Sequence, residues 1–242
     1  MKFAVISDIH ANLEALSAVL KDCEQQKVDK IHCLGDVVGY GCNPSECLDL
    51  VARNCEVKLL GNHEYMVLDL ISENFANSVA RASMEWTQKQ IGDIELSILE
   101  DFTVDAVIDD LYFVHSSPRN PEEWNYILTA AEANEAFEDL RHSCCFIGHT
   151  HLPMIYLERT DKLPRVQNGH DILMDADYRY IINVGSVGQP RDEDPRASYV
   201  IFDSKTLDLK FQRVAYDIAA TQQKMTEANL PKMLVERLSL GR

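Results

Sequence analysis

Five short apolar runs in this chain each stop at a hard metal ligand or its close neighbour. Ala4-Val5-Ile6-Ser7 ends in Asp8-Ile9-His10, and Ile31-His32-Cys33-Leu34 ends in Gly35-Asp36. Val57-Lys58-Leu59-Leu60 ends in Gly61-Asn62-His63-Glu64, Tyr112-Phe113-Val114 ends in His115, and Cys145-Phe146-Ile147 ends in Gly148-His149-Thr150-His151. Short apolar runs bounded by turn residues read as buried strands, and open α/β sheets gather their sites beyond the carboxyl ends of strands. Five of the eight histidines fall in these few positions. In extended chain, residues i and i+2 share a face, so Asp8 can point with His10, and His149 with His151. Gly35, Gly61 and Gly148 stand just before candidate ligands, where a backbone without Cβ can turn tightly.

The rest of the chain supplies helices between such strands. Residues 2–6 read as a strand, followed by a helix with Asn12 as N-cap and Leu13, Leu16, Val19, Leu20 and Cys23 at helical spacing. Strands are expected at Lys30–Leu34, Val57–Leu60, Asp105–Ile108, Leu111–Val114 and Cys144–Ile147, and helices at Pro44–Arg53, 64–100 (Trp86 on the buried side) and 121–140. The last third turns strand-rich: Met154–Glu158, Arg179–Asn183, Ser198–Asp203 and Asp208–Val214, the last two joined by a hairpin at Ser204–Leu207. Helices at Tyr216–Asn229 and Lys232–Leu240 close the chain, with Pro231 opening the second. This order implies a layered α/β protein with a mixed sheet or two packed sheets.

Charge narrows the function classes. With 23 Lys and Arg against 39 Asp and Glu, the net charge is −16, which disfavours a protein that grips a long nucleic acid through its phosphates. No run approaches the ~18 apolar residues of a membrane span. Met1 to Asp8 is not a signal peptide, because its apolar run ends at once in a carboxylate. A cytoplasmic location is therefore expected. The seven cysteines are odd in number and contain no Cys-x-x-Cys, so they read as small buried residues or free thiols rather than a disulfide or zinc framework. His32, His142 and His170 read as ordinary structural side chains.

The candidate ligands are two Asp, one Asn and four His. That is too many for one tetrahedral zinc ion, but it suits two adjacent divalent ions sharing a carboxylate; oxygen and imidazole donors without thiolate fit Mn, Fe, Zn, Ni or Co. Taken together and in order, Asp8-x-His10, Gly35-Asp36, Gly61-Asn62-His63-Glu64, His115 and Gly148-His149-Thr150-His151 resemble the calcineurin-like metallophosphoesterase signature. The resemblance spans residue 1 to about residue 203. The stretches Gly35–Gly41 and Asn183–Asp192 are similar to those of small single-domain prokaryotic phosphodiesterases within that superfamily.

The resemblance implies an α-β-β-α sandwich in four layers, two mixed sheets flanked by helices, as one domain over 1–242 with C-terminal helices at about 216–240. It implies that Asp8, His10 and His151 hold one metal ion, that Asn62, His115 and His149 hold a second, and that Asp36 bridges them. His63 stands where the family has its catalytic histidine, and Glu64 where a carboxylate commonly orients that histidine. The implied activity is hydrolysis of a small phosphodiester or phosphomonoester, with nucleotide-type substrates among the candidates, by metal-activated hydroxide, with two divalent ions (Mn, Fe, Ni or Zn) as cofactors. Arg119, Arg191 and Tyr40 are candidates for substrate binding, each with a surface ion pair or packing as the alternative. Competing readings are a catalytically silent interaction module of the same fold, a dinucleoside polyphosphate hydrolase and a protein phosphatase.

Overall fold

Alternation along the first strand divides the molecule into layers. In β1 (Lys2–Ile6), Phe3 and Val5 face one side and Ala4 and Ile6 the other, and all four are buried. Phe3 and Val5 join Phe113, Phe146, Ile182, Val200 and Phe202 in a core between two sheets, with the Phe113 and Phe146 rings stacked 5.4 Å apart. Ala4 and Ile6 instead meet Leu16, Val19, Leu48 and Val51 from helices on the outer face.

The structure is a computed structural model that describes residues 1–71, 78–160 and 162–242. After β1 come α1 (Leu13–Gln26), β2 (Lys30–Cys33), α2 (Pro44–Asn54), β3 (Val57–Lys58), α3 (Asn62–Val67), α4 (Ser78–Gln88) and α5 (Asp93–Leu99). Next are β4 (Asp105–Ile108), β5 (Leu111–Val114), a 3-10 turn at Pro121–Glu123, α6 (Ala130–Asp139), β6 (Cys144–Ile147), β7 (Met154–Arg159) and β8 (Lys162–Asn168). The chain finishes with β9 (Ile172–Leu173), β10 (Tyr180–Asn183), β11 (Ala197–Asp203), β12 (Asp208–Val214), α7 (Ile218–Glu227) and α8 (Lys232–Arg237).

Two six-stranded sheets result, ordered β3-β2-β1-β11-β12-β9 and β4-β5-β6-β10-β7-β8. Strands β1, β2 and β3 are mutually parallel, as are β5, β6 and β10, while the remaining pairs are antiparallel, so both sheets are mixed. Helices α1 and α2 cover the outer face of the first sheet. Helix α6 covers the second, burying Ala133, Ala136 and Phe137 against Cys145, Ile147, Tyr156 and Ile181. The architecture is thus the α/β sandwich of two mixed sheets flanked by helices. No helix among the described residues is long and apolar enough to cross a membrane.

Several boundaries differ from the sequence reading. Residues 72–77 of the expected 64–100 helix lie outside the described residues; among the described ones the span holds three helices, the first beginning at Asn62. The expected 121–140 helix starts only at Ala130. After a 3-10 turn at Pro121–Glu123, Trp124 (φ 56°) is left-handed and breaks it, and the helix begins where Thr129 and Glu132 form a capping box. Strand β3 stops at Lys58, because Leu59 bridges to Thr103. Strand β8, absent from the sequence reading, carries Pro164 and sits at the edge of its sheet, where a missing N–H is tolerated.

His32 in β2 is fully buried between Phe3 and Phe113, with ring centroids 4.9 and 5.1 Å away, and neither ring nitrogen has a hydrogen-bond partner. Burial lowers its pKa to about 4, so between that value and about 6.5 the unfolded chain binds a proton that the folded chain refuses. Stability from this site is present above pH 6.5 and lost as pH falls toward 4, by roughly 3 kcal/mol. In urea unfolding, His32→Leu should gain stability relative to the parent by about that amount between pH 7 and pH 4. A difference independent of pH would contradict the account.

Candidate metal centre

The loops that follow β1, β2, β3, β5 and β6 converge at one end of the sandwich. Their backbones pair beyond the strands: Asp8 N donates to Gly35 O at 3.0 Å and His10 N to Asp36 O at 2.9 Å. Asp8, His10, Asp36, His149 and His151 all have left-handed φ, between 49° and 66°. Each such residue costs about 1–2 kcal/mol relative to a right-handed backbone. Five strained residues at one place mark a site whose geometry the surrounding structure imposes.

Four of the five histidines there each give one ring nitrogen to a backbone carbonyl. His10 Nδ1 bonds Val38 O (3.2 Å), His115 Nδ1 bonds Leu34 O (2.9 Å), His151 Nδ1 bonds Gln189 O (2.6 Å) and His149 Nε2 bonds Trp124 O (2.9 Å). Since a carbonyl accepts only from N–H, the other nitrogen of each ring carries the lone pair whenever the ring is neutral, the arrangement by which metal-binding histidines are oriented. Asp8 Oδ2 and Asp36 Oδ1 are held by the backbone N–H groups of His149 and His63, both at 3.0 Å.

What remains unpaired points inward. Asp8 Oδ1, Asn62 Oδ1 and His115 Nε2 are buried without hydrogen-bond partners. His10 Nε2 and His151 Nε2 lie 3.0 Å apart, and His151 Nε2 lies 3.2 Å from Asp8 Oδ1. Asp36 Oδ2 is 3.4 Å from His115 Nε2, 3.8 Å from His10 Nε2 and 3.9 Å from His63 Nε2. Three groups have all their ligand atoms within 4.8 Å of one another: Asp8 with His10 and His151, Asp36 with His115 and His149, and Asp36 with His10 and His63. Buried lone pairs crowded together repel one another unless a cation lies among them, so this donor set fits divalent ions. Asn62 faces the same region from the first turn of α3, lining a cavity together with His149.

Protonation follows the same logic. Burial alone would raise the Asp8 and Asp36 carboxyls, but His151 beside Asp8, and His115 and His63 beside Asp36, outweigh it and keep both below the ordinary carboxylate range. Burial holds His10 and His151 below their ordinary value, reinforced by the His63 and His151 rings at His10 and by the Arg191 charge at His151, and burial with His115 lowers His149 to about 3. These rings are neutral, the form that ligates metals. His115 goes the other way: Asp36 overcomes burial and raises it to about 9.

Other candidates are placed differently. Glu64 does not orient His63, whose Nδ1 has no hydrogen-bond partner. Its carboxylate instead accepts four backbone N–H groups: Asp36 (2.8 Å), Val37 (2.8 Å), Val38 (3.1 Å) and Gly61 (2.7 Å). It clasps the loop carrying Asp36 to the turn carrying Asn62 and His63. Burial, with Asp36 nearby, still pushes its carboxyl up to about 7. Arg119 is not brought to the centre; it faces Glu135, Glu138 and Asp139 of α6 at 3.5–3.8 Å. Tyr40 packs against both His10 and His63, with ring centroids 4.5 Å from each. Arg191 lies beside the Tyr40 and Tyr126 hydroxyls, and its charge opposes the upward shift that burial gives them.

Further residues complete the surroundings, among them Asn183 at the end of β10 and Ser186 just after it. Asn183 Nδ2 donates to Gly148 O (2.6 Å) and Thr150 Oγ1 (2.9 Å), and Ser186 Oγ donates to Asp8 O (2.8 Å). A Cβ on Gly148 would come within 2.4 Å of Asp8 Oδ2, so only glycine lets these two loops approach. Arg237 of α8 and Arg191 both donate to Gln189 Oε1, at 3.1 and 3.0 Å. Trp124 and Tyr126 reach the centre from the irregular stretch where a helix was expected. No periodicity marks them, whereas the Thr129-x-x-Glu132 capping box that limits the helix was visible.

Removing the Glu64 carboxylate strands four buried donors at about 1–3 kcal/mol each. Glu64→Ala should therefore lose at least roughly 4 kcal/mol in urea unfolding, and Glu64→Gln, which keeps one acceptor oxygen, clearly less. A Glu64→Ala protein as stable as the parent would refute the clasp.

Comparisons with known proteins bear on the family and the fold. The Calcineurin-like phosphoesterase superfamily domain matches residues 1–207. The uncharacterized protein MJ0912 of Methanocaldococcus jannaschii is 40% identical over 248 residues, covering 99% of this chain and 98% of its own. The crystal structure of a metallophosphoesterase from Sphaerobacter thermophilus is 42% identical with a TM-score of 0.87, covering 100% of this chain and 99% of that one. The hypothetical protein PH1004 of Pyrococcus horikoshii shares the fold at 19% identity and a TM-score of 0.79, covering 100% and 98% of the two chains. With the family domain spanning every one of the five strand-end blocks, the chain belongs to the calcineurin-like phosphoesterase superfamily.

Proposed function

We propose that the protein hydrolyses a small phosphodiester or phosphomonoester at a centre of two divalent ions. The observation that carries this reading is that two ligand groups, Asp8 with His10 and His151 and Asp36 with His115 and His149, lie side by side with the free Asp36 Oδ2 between them. Asn62 completes the second group. Manganese, iron, nickel and zinc all suit this mixture of oxygen and imidazole. Bound ions would supply positive charge for the phosphoryl oxygens and lower the pKa of a shared water.

The chain's own groups then have defined tasks. His63 sits beside Asp36 with its Nδ1 unpartnered, and burial keeps its ring below the ordinary histidine range. Near neutral pH it is uncharged and carries one N–H, able to hydrogen-bond an ester or leaving oxygen as charge develops there. Tyr40 fixes the ring from one side and His10 from another. Gly39 closes the remaining side: its φ is +79°, and a Cβ there would sit 2.0 Å from His63 Nδ1. Arg191 is the one cation of the substrate-binding candidates that lies near the centre, placed to hold a non-bridging phosphate oxygen.

The deciding experiment reconstitutes metal-free protein with Mn, Fe, Ni, Zn or Mg. It then assays an aryl diester, an aryl monoester, diadenosine tetraphosphate and a cyclic nucleotide. Hydrolysis of at least one ester, with two metal ions per chain by elemental analysis, is the expected result; silence across the panel would favour an interaction module. His63→Ala should lower kcat by about 10²–10⁴-fold while leaving metal content intact. Gly39→Ala should lower kcat in the same way by displacing the imidazole. Full activity in either variant would remove His63 from the chemistry. Asp36→Asn, which weakens the shared ligand, should reduce metal content at both positions, unlike Asp8→Asn.

A further inference from the structure

A cavity of about 480 Å³ adjoins the metal centre, and Asn62 and His149 form part of its wall. Its other walls are Met66, Ile71, Trp124 and Tyr126, with the carboxylates of Glu122 and Glu123. Tyr126 lies flat on His149, with centroids 4.3 Å apart and planes 14° off parallel, yet is 49% exposed. Trp124 is braced edge-on by Tyr65 at 4.7 Å, and the Tyr65 hydroxyl donates to Glu122 Oε1. The pocket therefore offers rigid aromatic faces on one side and carboxylate acceptors on another, next to a centre suited to phosphate.

We infer that this cavity takes the organic part of the substrate, a nucleobase whose N–H edge meets Glu122 and Glu123 while its ring lies against Tyr126 and Trp124. The assignment rests on the proposed phosphoesterase reading and adds the substrate class to it. Flat rings gain most from aromatic walls. The two carboxylates discriminate further. They accept from amino and imino groups and repel a polyphosphate chain or a carboxylate-bearing group, so a nucleotide with one phosphate fits better than a dinucleoside polyphosphate. A phosphotyrosine ring lacks the donors that would satisfy those acceptors. The walls come from the irregular stretch 121–128, which is why Trp124 and Tyr126 can face the cavity instead of the inner side of a helix.

The chain has two tryptophans, so Trp86→Phe leaves Trp124 as the one indole reporter. Trp86 packs against the C-terminal helices, away from this cavity. In the Mn²⁺-loaded reporter protein, adenosine 5′-monophosphate should quench Trp124 fluorescence with half-saturation at least tenfold below that of ribose 5-phosphate, which differs only in lacking the base. Tyr126→Ala should raise the nucleotide's half-saturation about tenfold and leave little difference between the two ligands. Trp86→Phe/Glu122→Gln/Glu123→Gln, which keeps the aromatic walls, should weaken adenosine 5′-monophosphate more than inosine 5′-monophosphate, whose base lacks the amino group.

Equal half-saturation for the base-bearing and base-free ligands overturns the inference. Tighter quenching by a phosphotyrosine peptide than by the nucleotide overturns it as well, in favour of an aryl phosphate. Hydrolysis of esters without base preference would leave the phosphoesterase reading standing and remove the pocket. Base-dependent quenching with no hydrolysis of any ester would do the reverse.

Discussion

Bringing buried oxygen and nitrogen lone pairs to within 3–4 Å of one another is unfavourable unless cations separate them, and here the whole carboxyl end of the sandwich is arranged to do so. The force that makes this possible is the packing of two sheets through Phe3, Phe113, Phe146 and Phe202, which sets the strand ends side by side. The loops beyond those ends then adopt left-handed backbone at Asp8, His10, Asp36, His149 and His151. Such strain persists because backbone bonds between the loops, the Glu64 clasp and the Asn183 and Ser186 bonds leave no cheaper alternative.

Electrostatics within the centre and over the surface are separate matters. The net charge of −16 belongs mostly to exposed carboxylates such as Glu135, Glu138 and Asp139, which occupy Arg119. Near the centre the cations are less committed: among the described residues, neither Arg191 nor Arg237 forms an ion pair with a side-chain carboxylate, and both share Gln189 Oε1. Arg237 comes from α8, beyond the residues that the family domain matches. The C-terminal helices pack through Met225, Leu230, Leu234 and Leu238 onto Tyr40 and Cys42. They therefore brace the loop that carries Tyr40, which itself braces His10 and His63.

Legibility from sequence varied with the range of the interaction concerned. The strands ending in Asp8, Asp36, His115 and His149 could be read because a buried strand writes itself as a short apolar run, and a ligand after such a run stands out. Glu64 was recognisable as part of the site, but its task was not: four N–H donors from two distant loops meet it, and only folding brings them there. Arg119 and Arg191 looked alike, each following a proline, yet one faces the acidic side of α6 and the other the centre. The composition of the 121–140 stretch suits a helix, whereas Trp124 breaks it with left-handed backbone.

The chain's local order determined the layers, the donor types and the family, because apolar periodicity, turn residues and short motifs act over a few neighbours. Tertiary structure alone decided how the donors meet, which nitrogen of each histidine is left free, what Glu64 holds and which aromatic rings wall the cavity. The physical reason is the same in each case. A hydrogen bond or a ring contact between residues tens to hundreds of positions apart has no local signature, and its geometry exists only after the two sheets have packed.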